Sequence, residues 1–249
     1  TLEYHSSVGG YCASFRRQGY VFDAAAHCLS SVANDRTPVG KLFSRLGLDL
    51  EFLPSGAQNL HMRGTRYVWR YDAEHLRSIL KDSFPSEGPQ IDAFFATARK
   101  IFLGYSSKGL GSPICARYQH ATYQELLNEF FKSRELTALL SFTWSFAGLP
   151  PDKISAIAMS ILFHELFNNR VCQIKGGTQQ LSNRLAEKTR QYGGRVATKT
   201  MVAKILMEDR TAVGVETEGG ERLRAEHVIS NCDAKQTFGR LIDEGSMNG

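Results

Sequence analysis

Thr1-Leu2-Glu3, then Val8-Gly9-Gly10, then Phe22-Asp23-Ala24-Ala25-Ala26-His27: an apolar start ends on a carboxylate, and a glycine pair follows six residues on. The second strand of a dinucleotide-binding βαβ unit ends this way, where a carboxylate accepts two hydrogen bonds from the paired hydroxyls of a ribose. The same local pattern is also that of a plain turn after a strand. Gly9 and Gly10 leave the backbone bare, so that it can approach a ligand closely. No first strand, G-x-G-x-x-G or initiator Met precedes Glu3, so the chain is expected to begin inside a Rossmann-type fold.

Composition bounds the rest. The 249 residues suffice for one or two domains with a real core, and 42% hydrophobic and 22% charged residues are ordinary for a globular protein. The net charge of +5 is spread along the chain without a dense Lys/Arg block, which argues against nucleic acid as a partner. A basic face would suit peripheral contact with an anionic membrane. Five widely spaced cysteines (Cys12, Cys28, Cys115, Cys172 and Cys232) form no C-x-x-C pair, so neither a zinc site nor a disulfide framework is expected. Buried, reduced thiols are. No apolar run reaches the ~18 residues of a membrane-spanning helix.

Outward from the opening stretch, Tyr20-Val21-Phe22 reads as a strand, with Phe15 and Tyr20 as packing anchors. Val39 to Leu48 reads as a helix closed by Gly47. Leu50 to Leu53, Asn59 to Met62 and Tyr67 to Arg70 read as strands, the last two joined at Arg63-Gly64-Thr65. Helices are expected over Ala73–Asp82, Ile91–Leu103, Thr122–Phe131, Ser133–Phe146 and Asp152–Phe167, with Leu149-Pro150-Pro151 as a stop. The phenylalanines crowded into this region form either a helical core or the wall of an apolar tunnel. From Lys175-Gly176-Gly177-Thr178 the texture changes to a helix over Thr178–Tyr192, then strands over Val196–Leu206, Ala212–Thr217 and Arg222–Ser230. His227 to Asp233 reads as a buried strand running into a polar turn, the kind of sheet edge where ligands sit.

These motifs carry a resemblance. Glu3, Val8-Gly9-Gly10 and Phe15 to Asp23 resemble the FAD-binding opening of the phytoene desaturase and carotenoid isomerase family, which includes retinol saturase-like members of the flavin amine oxidoreductase superfamily. That opening reads E-x(5)-GG and then G-[FY]-x-F-D-x-G. Lys175-Gly176-Gly177-Thr178, Leu185-Ala186, Gly193-Gly194, Val202 and Val228-Ile229-Ser230-Asn231-Cys232-Asp233 resemble the family's second block, in order and in spacing. The resemblance implies an α/β fold: an incomplete Rossmann-type FAD-binding domain, 1–49 and 172–249, with an inserted, mostly helical α+β substrate domain over 50–171.

By the same resemblance, Glu3 would bind the adenosine ribose of FAD. Gly9 and Gly10 would pass near the pyrophosphate, and Phe22, Asp23 and Ala25 near the isoalloxazine ring. Val202 would meet the adenine edge through its backbone. Asn231 and Asp233 either close over the cofactor or form turns and helix caps. His27 is either an acid/base group near the flavin or a packed, hydrogen-bonded histidine. Two positions depart from the family: Tyr11 stands where relatives carry Arg, and Ala25 where they carry Gly.

The implied activity is an FAD-dependent desaturation, isomerisation or saturation of a long apolar polyene such as a carotenoid or retinoid. The implied setting is cytoplasmic or plastid, at a membrane surface. An amine-oxidase-like flavoenzyme and a non-catalytic escort of prenylated proteins share the architecture and stand as rivals. No catalytic triad, H-E-x-x-H or P-loop is present, and no metal site is expected. The stretch alone, without the segments that complete the family's cofactor site, is expected to be inactive.

Overall fold

The structure, a computed structural model, describes residues 1–169, 171–243 and 245. In chain order its elements begin with β1 (Ser14–Arg17), β2 (Tyr20–Asp23), β3 (Leu29–Ser30), α1 (Pro38–Leu46), β4 (Phe52–Pro54), β5 (Gln58–Met62) and β6 (Thr65–Trp69). A helical run follows: α2 (Ala73–Ser83), α3 (Gly88–Lys108), α4 (Pro113–Tyr118), α5 (Tyr123–Phe130), α6 (Arg134–Ser141), α7 (Trp144–Ala147) and α8 (Ala156–Asn168). The chain then gives β7 (Val171–Ile174), α9 (Gln179–Gln191), β8 (Val202–Glu208), β9 (Thr211–Thr217), β10 (Arg222–Arg224) and α10 (Ala234–Gln236). Two compact units result: one from Cys28–Gly47 and Glu51–Lys175, the other from Thr1–His27, Leu48–Leu50 and the described residues from Gly176 onward.

The helical unit begins at Cys28 because β3 pairs antiparallel with β7, which also pairs with β4. Its helices start where the sequence supplies caps. The Asp72 carboxylate accepts from His75 N at 2.8 Å ahead of α2, and Thr122 and Glu125 form a reciprocal capping box at α5. In the β5–β6 hairpin, Arg63 and Gly64 take positive φ of 48° and 82°, as a two-residue turn matched to strand twist requires. The helix expected over Ser133–Phe146 is broken into α6 and α7, and α8 starts only at Ala156, capped by Ser155. Pro113 opens α4, a helix the periodicity alone does not announce.

The core of this unit is aromatic. The Phe94 ring is fully buried and lies 5.5–6.5 Å from the rings of Phe95, Tyr123, Phe130, Phe131 and Phe163. Phe94, Phe131, Phe163 and Phe167 are therefore packed into the core. A cleft of about 340 Å3 among α2, α3 and α8 has mixed walls, including Arg77, Asp92, Phe95, Arg99, Phe163 and His164. Among the described residues no helix is long and apolar enough to cross a membrane.

The other unit holds the hairpin β1–β2, the helix α9 and the antiparallel sheet β10-β9-β8. Gln18 and Gly19, at φ 50° and 83°, turn the hairpin. Its register places Ser14 opposite Asp23 and Phe15 opposite Phe22. The first of these pairs packs within the unit, so alternation sends the second outward. Phe15 and Tyr20 are accordingly exposed (52% and 71%) and are not the packing anchors expected of them; Phe15 stacks on Phe22 at 5.5 Å instead.

Residues 196–201 form no strand ladder, since part of their backbone bonds to the chain start: Glu3 N donates to Ala197 O and Thr200 N to Glu3 O. The buried strand expected over His227–Asp233 is also absent. The stretch is irregular and Ile229 is 93% exposed, because no strand of the described residues lies beside it to take up its backbone groups. Of the five free cysteines, Cys115 and Cys172 are buried, Cys12 and Cys28 are partly so, and Cys232 is exposed, against the expectation for all five.

Candidate functional site

The glycine pair shapes a tight loop. Gly9 and Gly10 take φ of 131° and 52°, a conformation L side chains resist, and a short 3-10 turn follows over Gly10–Cys12. Cys12 N donates to Gly9 O at 2.8 Å and Ala13 N to Gly10 O at 3.1 Å. The amides of Gly9, Gly10 and Tyr11 find no acceptor among the described residues. Successive unpaired N–H groups at such a turn make a concavity suited to anionic oxygens. The two glycines differ in what lies behind them. A Cβ on Gly9 would sit 2.8 Å from Ser182 Oγ, whereas one on Gly10 would meet nothing within 4 Å. Gly9 is pressed on α9, and Gly10 faces open space.

Glu3 lies upstream of this loop. Its backbone is bonded to Ala197 and Thr200, and Leu2 makes a parallel bridge to Ala197. One carboxylate oxygen, Oε1, accepts from His5 N at 2.8 Å, and Oε2 takes no donor among the described residues. That oxygen can accept from a ligand hydroxyl. Val202, two residues beyond Thr200, opens β8 opposite Thr217 beside a bulge. The fold thus brings Glu3 and Val202 into one neighbourhood.

A second neighbourhood gathers around the glycine loop. Ala24 N donates to Ala13 O and Ala26 N to Tyr11 O, so the run from Phe22 to Ala26 lies alongside the loop, with Ala25 exposed. His27 is exposed, and its Nδ1 lies 3.0 Å from Ala25 O. Asp23 turns inward: its Oδ1 accepts from Ser14 Oγ (2.6 Å), Thr178 N (2.8 Å) and Thr178 Oγ1 (3.0 Å). Asn231 and Asp233 are exposed, and among the described residues no hydrogen bond joins them to either group. The Asp233 carboxylate caps α10, accepting from Lys235 N and Gln236 N.

Sequence reading passed over Ser14, Gln179 and Ser182, and took Thr178 only as part of a motif. Gln179 Nε2 donates to Val8 O at 2.7 Å, and Ser14 N donates to Gln179 Oε1 at 3.3 Å. The available signal was a Gly-Gly-Thr run at a helix start, which marks where backbone amides need partners.

The arrangement fits a dinucleotide with a diphosphate. It offers open amides at a glycine turn, a carboxylate oxygen awaiting donors, and a backbone free of side chains where the ligand would approach. Comparison with known proteins points the same way. Residues 2–236 match the family model described as flavin containing amine oxidoreductase. All-trans-retinol 13,14-reductase of Danio rerio is 24% identical over 271 residues, covering 97% of this chain and 44% of the relative. All-trans-zeta-carotene desaturase of Myxococcus xanthus is 28% identical over 199 residues, covering 76% and 37%. The chain spans less than half the length of these relatives. Among solved structures, putrescine oxidase bound to putrescine superposes with a TM-score of 0.67 at 18% identity, covering 97% of this chain and 54% of that one. This likeness establishes the fold.

Proposed function

Since the chain belongs to the flavin-containing amine oxidoreductase family, we propose that it is the cofactor-holding part of an FAD-dependent oxidoreductase whose substrate is a long apolar polyene. The observation that carries the reading is the glycine turn with three open amides, downstream of a carboxylate that keeps one oxygen available. Polyenes are the substrates in the names of both relatives, retinol in one and zeta-carotene in the other.

FAD when bound supplies the redox chemistry, a hydride-type transfer or a redox-assisted isomerisation at the polyene. The protein's own residues bind and orient. Glu3 Oε2 would accept from the adenosine ribose, and the Gly9, Gly10 and Tyr11 amides would donate to diphosphate oxygens. Backbone groups at Val202 would meet the adenine edge. Phe22 and Ala25 would flank the isoalloxazine side, with His27 a candidate for moving a proton there. Asn231 and Asp233 belong to the segment that covers the cofactor; in Asp233 the carboxylate already caps α10. The helical unit, with its phenylalanine-rich core, is assigned to substrate binding. An insoluble substrate places the enzyme at a membrane surface, which the net charge of +5 favours where lipids are anionic.

The test is the absorption spectrum of the full-length protein before and after denaturation, repeated for Glu3→Ala. Near-stoichiometric FAD, lost or weakened roughly tenfold in the variant, is the expected result. A folded, colourless protein that takes up no added FAD would overturn the reading. Incubation with retinol and carotenoids, followed by chromatography of the products, then separates polyene chemistry from amine oxidation.

A further inference from the structure

The carboxylate of Asp23 closes a clasp between β2 and the start of α9. Thr178 stands at the N-cap of α9 but makes no capping bond with its own side chain. Asp23, 155 residues away in sequence, supplies the cap instead, receiving Thr178 N and Thr178 Oγ1 on Oδ1. A negative charge there is favoured by the helix dipole and by the open amides of the first turn. Ser14 Oγ donates to the same oxygen and accepts from Gln179 N at 3.1 Å, which binds β1 into the arrangement. Thr178 Oγ1 also lies 2.9 Å from Ala26 O.

The first turn of α9 then reaches the glycine loop from three sides. Gln179 holds Val8 O at one end and Ser14 N at the other. Ser182 stands behind Gly9, with no room for a Cβ between them. Gly177, at φ +91°, leaves equally little room: a Cβ would lie 2.6 Å from Ser14 Oγ and 2.9 Å from Asp23 Oδ1. Within the glycine turn the backbone bonds join only neighbouring residues; what ties it to the rest of the unit is this α9 contact together with the run after β2, through Ala24 N to Ala13 O and Ala26 N to Tyr11 O.

We infer that Asp23 and Thr178, through Ser14 and Gln179, are positioning residues that set the glycine loop at the height where its amides meet the cofactor diphosphate. Asp23 is on this account the buckle of the site and not a cofactor ligand. The inference rests on the flavin reading above and assigns Thr178, Ser14 and Gln179 a role in it.

The experiment uses the full-length protein with FAD as the probe, comparing Asp23→Asn, Thr178→Val, Thr178→Ser and the double variant Asp23→Asn/Thr178→Val. FAD dissociation constants, the absorption bands at saturating FAD, and melting temperatures are measured for each. Asp23→Asn, which keeps an acceptor oxygen but loses its charge, and Thr178→Val, which loses the hydroxyl bonded to that charge, should each weaken FAD about tenfold. Thr178→Ser keeps the hydroxyl and should stay within about twofold. The double variant should lose less than the sum of the two, because the bond between Thr178 Oγ1 and Asp23 Oδ1 is common to both. The absorption bands should shift even at saturation, which a residue serving stability alone would not cause. Parent-like affinity in both single variants, or additive losses in the double, overturns the clasp. Glu3→Ala separates the two levels: if it weakens FAD while the clasp variants do not, only the positioning role falls. A parent protein that binds no FAD removes the flavin reading and the clasp's role with it.

Discussion

Replacing Gly177 with Ala should loosen the start of α9 more than any other single added methyl in this region. Two costs combine. At φ +91° a non-glycine residue is strained by roughly 1–2 kcal/mol. The new Cβ would also lie 2.6 Å from Ser14 Oγ and 2.9 Å from Asp23 Oδ1, so both must move. Neither is a free side-chain end, since the two are hydrogen-bonded to each other and to Thr178 and Gln179. Giving up one hydrogen bond to the charged oxygen adds about 1.5–3 kcal/mol, for a total near 3 kcal/mol. Gly176 is the internal control. Its φ is +85°, but a Cβ there would meet only Gln180 atoms at 3.6–3.8 Å, so Gly176→Ala carries the strain without the clash. Native-state hydrogen exchange of the α9 amides reads the difference directly, and Gly177→Ala should lose roughly a hundredfold in protection. Gly176→Ala should lose roughly tenfold. Adding Ser14→Ala to Gly177→Ala removes one of the crowded atoms, so the double variant should lose less than the sum of the two. Equal losses at Gly176 and Gly177, or strict additivity with Ser14→Ala, would refute the clash argument.

In the helical unit, Phe94→Ala removes a ring packed on five others and should cost about 3–5 kcal/mol in urea denaturation followed by tryptophan fluorescence. A loss below ~1 kcal/mol would mean that the cluster collapses to fill the space. His164 stacks on Phe102 at 3.7 Å, and burial holds its pKa below the ordinary histidine value, with Arg99 adding to the effect and Glu165 opposing it. Its folded-state pKa is depressed, so the unfolded chain takes the proton first as pH falls. The neutral form therefore contributes stability above about pH 6.5, lost as pH falls toward the folded value. Melting temperatures between pH 7.5 and 5 should show this slope in the parent and a shallower one in His164→Phe; identical slopes would remove His164 as the source.

Much of the framework was legible in the chain itself. The helices expected from Ala73, Thr122 and Ser133 start within a residue of those positions, because Asp72, Thr122 and Ser133 cap backbone amides locally. Gly47 and Arg63-Gly64 mark a helix end and a hairpin turn for the equally local reason that they take positive φ. The glycine loop was readable in the same way, from a motif confined to neighbouring residues, whereas the fold class followed from the resemblance to a known family.

Burial and pairing were not readable. Phe15 and Tyr20 carry the composition of core residues, yet the register of their hairpin turns them to solvent while Ser14 and Asp23 go inward. Val228-Ile229 has the composition of a buried strand, but a strand exists only where another lies beside it to share its hydrogen bonds. Asp23 reads from sequence as a site residue, and its bonds to Ser14 and Thr178 depend on a helix start 155 positions away. The sequence by itself determined the local conformations, because caps, turns and glycine torsions depend on a few adjacent residues. Only the tertiary structure decided which faces are buried and what Asp23 holds, because those depend on partners that chain order does not name.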